Sequence, residues 1–308
     1  MPAAALRSIL ILPFAISRAC SGLQSRLVHR RAASGHRNDA SSGSHPRLTE
    51  TFIFSTLQSP AASLRCDPKR REREMIEMLD LRVHFLEADG SLAPWRERIL
   101  ESVRETAERI GAEVSASDSA APIDVLVEHR AGETIPELGV AGACYRRALV
   151  FFTVDPGNEN FEASLAAGEV RKLLTHELHH SFRHGACGYG SKLGEALVSE
   201  GLADAFDAEI NGGDGHAWNH ALKAADWEGL LERAERELWA ETYDHAGWFF
   251  GTDRSLPRWA GYTIGYHLVK TYLAANPDAR PSQMTATPAS VVIGEAWAPL
   301  KERLLVAA

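Results

Sequence analysis

The sequence predicts an α+β fold: a small mixed sheet packed on a helical body, with one helix bearing an HExxH motif and a helical C-terminal half. Three observations carry this. Residues 79–86 (LDLRVHFL) alternate apolar and polar side chains, the pattern of a half-buried strand. Residues 95–110 (WRERILESVRETAERI) repeat apolar residues at helical spacing, with Gly111 as a stop. Beyond the turn cluster Asp155, Pro156, Gly157 and Asn158, the chain reads as helical to its end.

The remaining elements follow the same logic. Residues 123–127 and 148–154 are apolar enough for strands, the second more continuously so. Helices are expected over 161–183, 194–210, 221–238, 259–275 and 289–305, with a Gly/Asp/Asn loop at 211–215. The apolar stripe Ala166, Val170, Leu174 and Leu178 would bury one side of the first of these.

The chain has 308 residues and a formal net charge of −8, which argues against a nucleic-acid binder. No apolar run reaches the ~18–20 residues of a membrane span. Four cysteines are too few for a disulfide scaffold, and Cys144 and Cys187 are expected as reduced thiols. Charge is unevenly placed. Residues 1–74 hold 12 of the 33 Lys+Arg but only 5 of the 41 Asp+Glu, with no acid before Asp39. Three readings of this start compete: the Arg-rich, acid-poor composition of an organellar transit peptide, a weak secretory signal, or a start placed too early, with Met75 or Met78 the true one. In each, residues 1–77 are a disordered or non-native extension and 78–308 the functional domain, with a cytoplasmic setting the default.

The chemistry is concentrated in HELHH, residues 176–180. His176 and His180 are four apart, so on a helix both imidazoles stand on one face and can share one Zn²⁺. Glu177 sits beside that face and can act as general base toward the water that the ion acidifies. A catalytic site needs a third protein ligand. Downstream, GEALVSEGLADAFDAE (194–209) holds Glu200 and, one turn later, Asp204. His184 continues the His176/His180 face, but one straight helix rarely wraps three ligands around a tetrahedral ion. Glu195 reads as a solvated first-turn acid. His179 reads as a surface or packing residue, and 216–220 as a surface loop. The metzincin pattern fails, because Arg183 and Ala186 stand where its Gly and His belong.

The spacing of HELHH and SEGLAD resembles the thermolysin-like gluzincin clan. That resemblance implies Glu200 as third metal ligand and Asp204 as the acceptor that orients His176. Together with LPRWAGYTIGYHLVK (256–270), these segments are similar to a bacterial domain-of-unknown-function family of predicted zinc-dependent proteases. The resemblance spans roughly 78–308. It implies a zinc metallopeptidase acting on a peptide or protein substrate, and it says nothing of oligomeric state. Gluzincins commonly place a Tyr or His from a later helix against the oxyanion; Tyr262 is the choice here, with Tyr266 and His267 behind it, and aromatic packing between helices is the competing reading. Gly201 is expected to let the Glu200 helix pass close to the HExxH helix, and Gly261 and Gly265 to let theirs approach another backbone. The alternatives are an inactive or structural-zinc binding module and a non-peptide amidase.

Overall fold

The structure is a computed structural model that describes residues 79–114 and 121–306; the expectations for 1–77 lie outside the described residues. Strands β1 (Leu81–Leu86), β2 (Ile123–His129), β3 (Val140–Arg146) and β4 (Leu149–Val154) form one sheet in the order β1-β2-β4-β3. The β1–β2 and β2–β4 pairs are parallel, and β3 runs antiparallel along β4 at the edge. The sheet is therefore mixed, as the sequence predicts. Its strands obey the two-residue period: Ile123, Val125 and Val127 of β2 and Val150, Phe152 and Val154 of β4 are buried, while intervening residues face outward. The buried face is covered by helix α1 (Arg96–Gly111) through Ile99, Val103 and Ile110.

Helix α2 (Phe161–Ala166) and helix α3 (Glu169–Ala186) replace the single helix expected over 161–183. Gly168 separates them at φ +77°, a left-handed conformation open to glycine at little cost. Ala166 is thereby left exposed, and the buried stripe of α3 is Val170, Leu174 and Leu178. The helical half continues with α4 (Leu193–Asn211), a 3₁₀ turn at Ala217–His220, α5 (Trp227–Glu237), α6 (His245–Phe250), α7 (Ala260–Ala275) and α8 (Ala289–Val306). Strand β3 and helix α6 are absent from the sequence reading. The strand's VAGACYR carries small residues with no clear alternation, and α6 is only six residues long.

Two apolar cores result. One lies between the sheet, α1 and α3; the other joins α4, α5, α7 and α8. Helices α3 and α4 pack on each other where the cores meet. Helix α4 is held from behind by α7 at very close range. A Cβ on Gly201 would stand 2.1 Å from the Gly265 carbonyl oxygen, and one on Gly265 2.3 Å from that of Leu197. Gly201 therefore serves the contact with α7, not the one with the HExxH helix. Gly261 instead accommodates the ring of Phe249. Among the described residues, no helix is long and apolar enough to cross a membrane. Cys144 and Cys187 are both free.

Candidate metal centre

Helix α3 is buried on almost every side from Leu173 to Arg183. Leu174 and Leu178 point into the sheet core, so the opposite face, with His176 and His180, is turned toward α4. Burying imidazoles costs free energy unless each nitrogen finds a partner. Here the partners come from α4, and His176, His180, Glu200 and Asp204 are all at most 6% exposed.

Three donor atoms converge. His176 Nε2 and His180 Nε2 are 3.1 Å apart, and Glu200 Oε2 lies 3.2 Å from the first and 3.3 Å from the second. Tetrahedral zinc with bonds near 2.0–2.1 Å separates its ligand atoms by about 3.3 Å. The triangle therefore has the size a zinc ion requires. Its chemistry also asks for a cation. His176 Nδ1 is 2.8 Å from Asp204 Oδ1, and His180 Nδ1 is 3.3 Å from Ser199 Oγ. With its proton on Nδ1, each neutral ring would turn its Nε2 lone pair, with a carboxylate lone pair, toward one point. Such acceptors repel unless positive charge lies between them. Among the described residues this is the one group of three or more His, Cys, Asp or Glu side chains that could hold a metal ion, and no fourth such residue joins it.

The surroundings set the protonation of each group. Burial works against charging His176, but the Asp204 carboxylate beside it, followed by Glu200 and Glu177, raises its pKa well above the ordinary value. Glu200 is also penalised by burial, yet the two imidazoles hold its carboxyl well below the usual range. Burial raises the pKa of Glu177, partly offset by His176 and His180. The Glu177 side chain lies against β3: a Cβ on Gly142 would come within 2.7 Å of its Cγ. It makes no hydrogen bond to any described residue, so its carboxylate is uncommitted.

Asp204, fully buried, also accepts from Trp218 Nε1 at 3.2 Å and from Asn219 Nδ2 at 2.5 Å. The 216–220 segment, expected as a surface loop, is thus mostly interior: His216, Trp218 and Asn219 are buried, because two of its side chains satisfy Asp204. Sequence reasoning also passed over Tyr189, whose hydroxyl donates to Glu200 Oε1 at 2.6 Å. Burial and the Glu200 charge push its pKa well up, which keeps it a donor.

The remaining candidates separate cleanly. Tyr262 is half-buried, with Phe249 edge-on at 5.0 Å and Trp218 at 6.1 Å. Burial, then the charges of Glu200, Glu177 and Asp204, push its pKa well up, which keeps the phenol protonated. Its hydroxyl bonds to no described residue. Tyr266 instead donates to Asp214, and His267 packs on Trp227. His184 pairs with the Cys144 carbonyl, outside the donor triangle. His179 is fully buried against Phe206, with Nε2 3.3 Å from the Pro281 carbonyl oxygen, a packing role. Glu195 receives the Ser191 and Lys192 backbone N–H groups at the start of α4.

A comparison with curated proteins finds no match. A family model described as "Predicted Zn-dependent protease" matches residues 99–294, well over half the chain and the whole of the donor cluster. The chain belongs to that family, DUF2268, whose description agrees with the zinc-sized triangle on α3 and α4.

Proposed function

We propose that the protein is a zinc-dependent peptidase of the gluzincin type, with His176, His180 and Glu200 holding the ion. The observation that carries this is the convergence of three lone pairs at tetrahedral spacing beside an uncommitted carboxylate, Glu177. When bound, Zn²⁺ supplies Lewis acidity, which acidifies water and polarises a carbonyl.

The chain's own residues do the rest. Glu177 accepts a proton from the attacking water and returns it to the leaving amine. Burial raises its pKa, which strengthens it as a base, and His176 and His180 offset part of that rise. Asp204 fixes the His176 ring so that Nε2 is the ligating nitrogen. Tyr262 donates its hydroxyl to the oxygen that gains charge as the carbonyl is attacked. A structural zinc site would be closed by a fourth protein ligand. The absence of a fourth metal-binding side chain among the described residues supports a site open to water and substrate.

Glu177→Gln is the deciding variant. It should retain about one zinc per chain and lose cleavage of a peptide library by roughly 10²–10⁴-fold, the worth of a general base. Wild-type rates in this variant would remove the assignment. Loss of zinc along with activity would show that Glu177 acts on the site's integrity instead.

A further inference from the structure

Each converging ligand carries a second polar atom, and the structure occupies all three. His176 Nδ1 is taken by Asp204, His180 Nδ1 by Ser199, and Glu200 Oε1 by the hydroxyl of Tyr189. The third differs in kind. An imidazole offers a metal one nitrogen at a time, whereas a carboxylate can ligate through one oxygen or through both. For Glu200, Oε2 faces the two Nε2 atoms and Oε1 faces Tyr189.

Tyr189 is placed for this by its own segment. It lies in the link between α3 and α4, flanked by Gly188 and Gly190 at φ +79° and +91°. The two left-handed residues turn the chain back so that the ring lies over the site. Its centroid is 5.6 Å from that of His180 and 6.2 Å from that of His245.

Building on the metal-site reading above, we propose that Tyr189 is a positioning residue: its hydroxyl holds Oε1 of Glu200 and restricts this ligand to coordination through Oε2 alone. The consequence is the number of positions left. Two nitrogens and one oxygen leave a tetrahedral position for water, while a second carboxylate oxygen would compete for it.

The test uses the full chain loaded with Co²⁺, whose visible absorption is intense in four-coordinate sites and weaker at higher coordination. Wild type should show the intense spectrum. Tyr189→Phe, which keeps the ring and removes the hydroxyl, should show a weaker one, with Zn²⁺ affinity reduced about tenfold. An unchanged spectrum and unchanged affinity in Tyr189→Phe overturn the proposal while leaving the metal site standing. A wild-type spectrum that is missing, or that survives in His180→Ala, overturns the metal reading itself. Should Tyr189→Phe not fold, infrared difference spectra of zinc-loaded against metal-free wild type read the same point. A wide gap between the carboxylate stretches is expected for one-oxygen binding; a narrow gap overturns it.

Discussion

HELHH (176–180) and HAWNH (216–220) each begin and end on a histidine, four residues apart, and the outcomes differ. On α3 a full α-helical turn stacks His176 over His180, and their Nε2 atoms meet at 3.1 Å. In the second segment His216 is extended and the rest forms a 3₁₀ turn, where residues three apart eclipse and residues four apart diverge. His216 stacks on Trp218 at 4.2 Å and pairs with Asp207, while His220 donates to the Asp214 carbonyl. The same spacing yields a donor pair only where the backbone has the matching period, and there a neighbouring helix brings a third atom able to bind a metal. The second segment nonetheless serves the first, because Trp218 and Asn219 hold the Asp204 that holds His176.

The largest effect tests that contrast directly. His180→Ala should reduce zinc content from about one per chain to near zero, since it removes one of three ligands. His220→Ala should leave it unchanged. Elemental analysis of zinc-reconstituted full chain decides, and equal loss in both variants would erase the distinction.

Asp204 joins the two segments, so its removal should be felt in both. Asp204→Ala leaves the His176, Trp218 and Asn219 donors buried without their acceptor. At about 1–3 kcal/mol for each orphaned group, and less than additively, a loss of roughly 3–5 kcal/mol is expected. Denaturant unfolding of the metal-free protein measures it. Asp204→Asn isolates the charge. Against the cost of burial, the carboxylate raises His176 above its ordinary pKa, so protons compete with the metal at higher pH than at a free histidine. Without that charge the His176 pKa falls. The acid limb of zinc binding should then move to lower pH, even as affinity at neutral pH drops about 10–100-fold. A limb that stays in place would show that the pair does not set the titration.

What the sequence could show and what it could not follow the same line. His176 and His180 are legible because they form a helical repeat, and periodicity is a one-dimensional property; Glu200 and Asp204 are legible through the resemblance of SEGLAD to the gluzincin pattern, with which their four-residue spacing agrees. Ser199, Tyr189, Trp218 and Asn219 act across tertiary contacts and leave little local trace. The faint signals were the glycines around Tyr189 and the position of Ser199 next to Glu200. In the fold, β1, β2 and β4 showed alternation or apolar runs, but β3 is built of small residues fitted beside Glu177, where Gly142 has no room for a side chain. The helix break at Gly168 was hidden because a glycine within a helical pattern is tolerated as often as it interrupts.

The smallest effect is the most discriminating for the supporting segment. Trp218 Nε1 lies 3.3 and 3.2 Å from the two Asp204 oxygens, a shared and long contact, whereas Asn219 approaches one oxygen at 2.5 Å. Trp218→Phe deletes the donor and keeps a ring between His216 and Tyr262. Because Asn219 still holds the carboxylate, the expected cost is about 1 kcal/mol in unfolding free energy, within the usual worth of one hydrogen bond. Zinc affinity should fall only a few-fold, below the range of direct ligand partners. Asn219→Ala should cost more on both measures. If Trp218→Phe weakens zinc binding more than Asn219→Ala does, then the indole, not the amide, is what fixes Asp204, and the short contact at Asn219 is incidental to the site.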